Sequence, residues 1–118
     1  MTKIMVVDDE PDNVETVRML LEREGYEIVE ARNGDECLEK VKKMDVKPDL
    51  ILMDVMMPET PVKKVVDQLK GLKVAYLTVV RTSEAEKEDL LGSKNVVDFI
   101  QKPFDIDDLV KKVKKIVG

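Results

Sequence analysis

Five short apolar runs, each rich in β-branched residues, alternate along the chain with segments whose apolar residues recur every three or four positions. This alternation is typical of strand–helix–strand units, in which helices cover both faces of a parallel sheet. Runs such as IMVV and LILM are apolar on both faces, as a strand buried on two sides must be. We therefore predict a doubly wound α/β fold with five helices and with five strands at Lys3–Val7, Glu27–Glu30, Leu50–Met53, Val74–Thr78 and Val97–Ile100.

The five predicted helices follow the strands. The first begins near Pro11, which suits the first helical turn, and ends at Gly25. The fourth begins at Ser83, where Ser83 and Glu86 match a capping box. The fifth follows Asp105 and has a complete i, i+3, i+4, i+7 apolar stripe. The second and third carry their apolar residues at Cys37, Leu38 and Val41 and at Val62, Val65, Val66 and Leu69.

Length and composition narrow the possible function classes. The 118 residues suffice for one domain, because single domains commonly hold about 100–200 residues, and no linker divides residues 1–118. No apolar run approaches the ~18 residues of a membrane span, and MTKIMVVDDE does not resemble a signal peptide. The expected location is the cytoplasm, without membrane insertion. A net charge of −5 disfavours direct nucleic-acid binding, which requires clustered positive charge.

The sequence contains no histidine, which excludes Ser-His-Asp and Cys-His catalysis and His-ligated zinc. The single cysteine, Cys37, falls on a helical apolar stripe and is expected to be a small core residue. The basic cluster KKVKK interleaves with Val110, Val113 and Ile116, so we interpret it as the solvated face of the fifth helix. Charged residues make up 38% of the chain, with only three Asn and two Gln, which predicts a thermophilic source.

Polar residues interrupt the apolar pattern where the predicted strands end. Asp8 and Asp9 follow the first strand, Asp54 the third and Lys102 the fifth, and Thr78 ends the fourth. Because the functional crevice of an open parallel sheet lies at the carboxyl ends of its strands, these residues are expected to converge. Each of these features, taken alone, also has an ordinary structural interpretation. An Asp pair before a helix stabilises the N-terminus of that helix, and Lys-Pro forms a turn.

Three carboxylates brought together repel by roughly 4 kcal/mol per close pair at an effective dielectric of ~20. Since all candidate ligands are hard oxygens, Mg²⁺ is the natural ion to offset this repulsion. Lys102 then supplies a positive charge and Thr78 a hydroxyl donor. The set is suited to phosphoryl transfer in which Asp54 is the nucleophile.

Four motifs in order, MVVDDEP, LILMDVMMP, LTVV and FIQKPF, resemble the response-regulator receiver family of two-component signalling over almost the whole chain. The resemblance implies a flavodoxin-like fold with strand order 2-1-3-4-5 and Asp54 as phosphoacceptor. It implies Asp9, Asp54 and the Met56 backbone carbonyl as direct Mg²⁺ ligands, with Asp8 acting through water.

The same resemblance implies that Thr78 and Lys102 bind the phosphoryl group and that Phe99 is the aromatic switch residue. Ordinary core packing is the alternative for Phe99. The implied donor is a sensor histidine kinase or phosphotransfer protein. The implied output is a downstream protein target, bound by the face of the fourth helix, fifth strand and fifth helix. Such a protein is a signalling switch rather than an enzyme, and is a monomer or a weak phosphorylation-dependent dimer.

The sequence also departs from the family pattern. Asp54 and Thr78 are several residues closer than is typical, which predicts a shortened third helix. Val79 replaces a usual alanine or glycine and should narrow access to the phosphoryl site. The family fold places Met56 and Val80 beside the path of the hydrolytic water, which neither side chain can hold. We therefore expect a long-lived phosphorylated state.

Two other functions are compatible with this fold class. One is an interaction module that does not depend on phosphate, although the intact acidic set argues against loss of the chemistry. The other is a nucleotide- or flavin-binding enzyme. The sequence has neither G-x-G-x-x-G nor G-x-x-x-x-G-K-[ST], so the glycine-lined phosphate cradle of such enzymes is missing.

Overall fold

A computed structural model describes residues 2–54, 62–69, 71–78, 95–101 and 106–117. Within these ranges the chain forms five strands, all paired in parallel, in the order β2-β1-β3-β4-β5. The predicted doubly wound sheet and its strand order are confirmed. The strands are β1 (Lys3–Val7), β2 (Glu27–Ala31), β3 (Leu50–Asp54), β4 (Val74–Thr78) and β5 (Val96–Gln101).

Four helices lie in the same described ranges: α1 (Pro11–Glu22), α2 (Gly34–Lys43), α3 (Val62–Asp67) and α4 (Ile106–Val117). Helix α4 is the fifth predicted helix. The fourth predicted helix, with its capping box at Ser83 and Glu86, lies outside the described residues. No helix in the described part of the chain has the length and apolar character needed to cross a bilayer.

Two apolar layers sandwich the sheet. One packs Ile4, Val6, Leu50 and Leu52 against α1 and α4, and the other packs Met5, Val7, Ile51 and Met53 against α2 and α3. Alternate residues of β1 and β3 therefore enter opposite layers, which explains why Ile4–Val7 and Leu50–Met53 are apolar at every position. Burying one large side chain of this kind contributes about 1.5–3 kcal/mol.

Cys37 belongs to the α2–α3 layer and is fully buried, as predicted. Burial raises the pKa of its thiol to about 12, which keeps the side chain neutral. Helix α1 begins at Pro11, and Gly25 follows its end with a φ of 90°, a backbone conformation that favours glycine.

The shortened third helix that the spacing predicts stays a prediction, because residues 55–61 lie outside the described part of the chain. The described part of helix α3 spans six residues. Its last turn is held by a residue distant in sequence: Asn95 Nδ2 donates to Val66 O at 3.0 Å and to Leu69 O at 3.1 Å. This contact satisfies carbonyls at the end of α3 and ties this helix to the beginning of β5.

Candidate functional site

Asp8 is held at the end of β1 by two backbone contacts. Its N–H donates to Ala31 O of β2 at 3.1 Å, and its Oδ1 accepts from Glu10 N at 2.9 Å. The second contact is the local turn that an aspartate side chain forms with the backbone two residues on, and it leads directly into α1. Asp8 is 1% exposed, so its carboxylate has a fixed position under the first turn of that helix.

Asp54 is the last residue of β3, which lies between β1 and β4 in the centre of the sheet. It is 5% exposed and pairs in register with Leu77 of β4. The three residues before it, Ile51, Leu52 and Met53, are fully buried. The apolar strand therefore anchors a charged group at its carboxyl end.

The carboxylates of Asp8, Asp9 and Asp54 form a cluster in which each residue offers an oxygen within 4.8 Å of the other two. Asp8 and Asp54 are buried, whereas Asp9 is exposed. Three hard oxygen ligands at this spacing, with one side open to solvent, fit a small divalent cation that keeps some of its water. The convergence predicted from the strand ends is thus observed for these three residues.

The other predicted site residues are described only in part. Thr78 ends β4, directly after the Leu77 that pairs with Asp54, so its backbone lies at the same edge of the sheet. Phe99 lies within β5 and pairs in register with Tyr76. Their assigned roles stay predictions, as do those of four residues outside the described ranges: Met56, Val79, Val80 and Lys102.

A groove of about 440 Å³ runs beside the cluster, between α1 and the end of β2. Its walls include Asp8, Met19, Arg18 and Arg32. Arg18 crosses from α1 to β2, with Nε 3.1 Å from Glu22 and Nη1 2.9 Å from Glu30, and these hydrogen bonds raise its pKa. The groove is not predictable from the sequence, because α1 and β2 become neighbours only through the pairing of β1 with β2.

The basic cluster KKVKK of α4 is not a fully solvated face, because one of its lysines forms an ion pair. Lys114 Nζ lies 2.6 Å from Glu24 Oε1, beyond the end of α1, and this contact raises the pKa of Lys114. Val113, within the same cluster, is fully buried. The helical spacing was interpreted correctly, and one of its lysines in addition links α4 to the chain that follows α1.

Comparison with known proteins assigns the family. The pattern of the response regulator receiver domain matches residues 4–114. The transcriptional regulatory protein ResD of Bacillus subtilis is 38% identical over 117 residues, which cover 98% of this chain and 48% of ResD. The alkaline phosphatase synthesis regulator PhoP of the same organism is 37% identical, with the same coverage. The chain thus spans about half the length of these curated relatives.

Solved structures of response regulators have a similar fold. The response regulator TrrA of Thermotoga maritima, in complex with Mg²⁺-BeF, has a TM-score of 0.81 and 35% identity, covering 98% of this chain and 99% of TrrA. Chemotaxis protein CheY4 of Vibrio cholerae has a TM-score of 0.87 and 29% identity, covering 98% of each chain. With the matching sheet order and the acidic cluster at its carboxyl edge, these similarities establish that the chain belongs to the response regulator receiver domain family.

Proposed function

We propose that this receiver domain works as a signalling switch in which Asp54 accepts a phosphoryl group in a Mg²⁺-dependent reaction. The observation that carries the proposal is the cluster of Asp8, Asp9 and Asp54, with carboxylate oxygens within 4.8 Å of one another at the carboxyl edge of the sheet. Repulsion among these charges favours a cation at this point, and a bound cation favours the approach of a phosphoryl group.

Asp54 is the best nucleophile of the three. Asp8 follows β1, whose neighbours in the sheet are β2 and β3, so it does not lie beside the strand that carries Thr78. Asp9 is exposed and lies in the turn before α1, so its position is less restrained. Asp54 ends the central strand, flanked by β1 and β4, so a group bound to it is within reach of residues from both neighbouring strands.

In the transfer step a carboxylate oxygen of Asp54 attacks phosphorus in line with the bond to the donor. A new P–O bond forms while the donor's bond to phosphorus breaks, and the donor atom leaves with that electron pair. When bound, Mg²⁺ supplies positive charge that offsets the carboxylates and the phosphoryl oxygens. Thr78 and Lys102 are proposed to donate hydrogen bonds and charge to the transferred group.

The proposed Mg²⁺ ligands are Asp9, Asp54 and the Met56 carbonyl directly, and Asp8 through water. Support comes from the chemistry of the donor set, which contains only oxygen, and from the TrrA structure, which is a complex with Mg²⁺-BeF. By analogy, the acidic cluster of this chain is expected to bind Mg²⁺ together with beryllium fluoride.

The proposed donor is a sensor histidine kinase or a phosphotransfer protein in the cytoplasm. The proposed output is a change at the face formed by the predicted fourth helix, β5 and α4, with Phe99 as switch residue, read by a downstream protein target. The domain is proposed to be a monomer or a weak phosphorylation-dependent dimer. DNA binding is not part of the proposal: ResD and PhoP are transcriptional regulatory proteins by name, but the chain matches only half of each.

The test is labelling by a small phosphodonor such as acetyl phosphate, read by intact mass. The parent protein should gain one phosphoryl group with Mg²⁺ and none with EDTA. Asp54→Asn should gain none, whereas Asp45→Asn, at an exposed position in the loop after α2, should label like the parent. Equal labelling of Asp54→Asn and the parent would identify another acceptor. If no donor labels the parent, the interaction module that does not depend on phosphate becomes the better interpretation.

A further inference from the structure

The groove between α1 and β2 brings a second kind of charge close to the acidic cluster. Asp8 and Arg32 both line it. Arg32 directly follows Ala31, whose carbonyl accepts the N–H of Asp8, so the backbone of Arg32 lies at the same edge of the sheet as the cluster.

Among the residues that the structure describes, the cations lining this groove are Arg18 and Arg32. Their positive charges are offset to different degrees by neighbouring carboxylates. Arg18 contacts both Glu22 and Glu30 at about 3 Å. The Arg32 side chain is 82% exposed, and its ion pair with Glu36 has a long N–O distance of 3.5 Å. Glu36 is also paired with Lys40 at 3.1 Å, so much of its charge is offset by that lysine.

A positive charge at the rim of the cluster, in addition to a bound cation, favours the approach of an anion. A phosphodonor carries negative charge, and at its approach it meets Asp8, Asp9 and Asp54, with Glu10 and Asp12 exposed beside them. This field lowers the local concentration of anions and slows their encounter with the site. A weakly paired arginine at the rim reduces that repulsion without contacting the reacting atoms.

We propose that Arg32 is a steering residue, which raises the rate at which small anionic phosphodonors reach Asp54. This inference rests on the proposed function of Asp54 as phosphoacceptor. It has a second consequence, because the charge that attracts an anion repels Mg²⁺. Acetyl phosphate and Mg²⁺ each carry about two charges near neutral pH, so Arg32 should affect their reactivity and affinity by similar factors in opposite directions.

The experiment compares Arg32→Gln, Arg32→Glu and Arg32→Lys with the parent at low ionic strength. The initial rate of labelling by subsaturating acetyl phosphate is measured at saturating Mg²⁺, and Mg²⁺ affinity is measured by calorimetry. Arg32→Gln should label about twofold more slowly and Arg32→Glu about fourfold, as expected for a charge within a Debye length but out of contact. Mg²⁺ affinity should rise by about the same factors, and Arg32→Lys should keep the parent values.

The matched control is Arg23→Gln, because Arg23 is also an exposed arginine but lies beyond the other end of α1. It should change neither the labelling rate nor the Mg²⁺ affinity. The effects of the Arg32 variants should become small in ~1 M salt, where charges are screened beyond about 3 Å.

An unchanged labelling rate in Arg32→Gln overturns the inference and leaves the function of Asp54 intact. A fall in both labelling and Mg²⁺ affinity overturns it too, since that is the result of local structural damage. A parent protein that no donor labels overturns the proposed function and this inference together.

Discussion

Replacing Asp54 with asparagine should stabilise the fold when no divalent cation is present. The carboxylates of Asp8, Asp9 and Asp54 lie within 4.8 Å of one another. At that distance Coulomb's law gives about 3.5 kcal/mol of repulsion per pair at a dielectric of ~20 and about 1 kcal/mol in water. The higher figure applies better to the buried pair Asp8–Asp54, and the lower one to the pair with exposed Asp9. Asparagine has nearly the same shape as aspartate, but it changes the hydrogen bonds of residue 54, and this cost offsets part of the repulsion that is removed. We therefore expect the free energy of unfolding to rise by about 1–3 kcal/mol.

Saturating Mg²⁺ should reverse this order. The parent gains RT ln(1 + [Mg²⁺]/Kd), which is about 2.7 kcal/mol at a hundredfold excess over Kd. Asp54→Asn lacks one charged ligand and should gain much less. The free energy of unfolding of the variant should therefore exceed that of the parent in EDTA, and equal it or fall below it in Mg²⁺.

Urea unfolding followed by far-UV circular dichroism measures both differences. Each protein is unfolded in EDTA and in excess Mg²⁺, with Asp45→Asn as the control for loss of a negative charge outside the cluster. The control should differ from the parent by less than about 0.5 kcal/mol in both conditions. An Asp54→Asn variant that is less stable than the parent in EDTA, or that gains as much from Mg²⁺, would refute the argument from carboxylate repulsion.

Four further outcomes are expected. Asp9→Ala should lose most of the Mg²⁺-dependent rise in melting temperature and Asp8→Ala less, and superimposable parent melts with and without Mg²⁺ would contradict this. The phosphorylated parent should be long-lived, and Met56→Asn or Val80→Lys should each shorten its lifetime by about tenfold, measured by loss of label; decay within seconds that neither variant changes would contradict it. The melting temperature should exceed the ~45–65 °C of ordinary domains, and a value inside that range would count against a thermophilic source. Native Cys37 should react far more slowly with a thiol reagent at pH 8 than in urea, because it is buried with a pKa of about 12; equal rates would show that the site opens readily.

The fold was predictable because its strongest signal is local. Ile4–Val7 of β1 and Leu50–Met53 of β3 are apolar without interruption, and the helices between strands repeat their apolar residues at helical spacing. Both element types can therefore be predicted without knowledge of the tertiary structure. The ends of the strands are harder to predict from the sequence. Strand β2 continues to Ala31 and β3 to Asp54, one residue further than predicted, because backbone pairing with a neighbouring strand extends past the apolar run.

Strand β5 contains an irregularity that the sequence pattern does not predict. It begins at Val96 rather than Val97, and its register with β4 shifts between Val74 and Ala75, whose partners are Val96 and Asp98. Val97 is therefore the extra residue of an irregularity, and it is 44% exposed despite being apolar. Sequence periodicity gives each residue one face of a regular strand, so it cannot reveal a local shift in pairing.

The acidic site was predictable in part for the same reason. Asp8, Asp9 and Asp54 follow apolar strands, and the rule that parallel strands end at one edge brings them together. The turn from Asp8 to Glu10 and the groove at Arg32 were not predictable. The turn depends on the orientation of one side chain, and the groove depends on how α1 packs against β2.

The position of Asp54 also explains how the protein tolerates a cluster of like charges. The residues before it are fully buried between two layers of helices, and β3 pairs with a strand on each side, so the strand end cannot move away from Asp8 without breaking backbone hydrogen bonds. The core thus holds the carboxylates at a distance they would not adopt in solution. Part of the folding free energy is stored as repulsion, and any ligand that neutralises the cluster recovers it. Binding at this edge is therefore coupled to the packing of the central strands, which gives the site a physical route for influencing the elements packed around it.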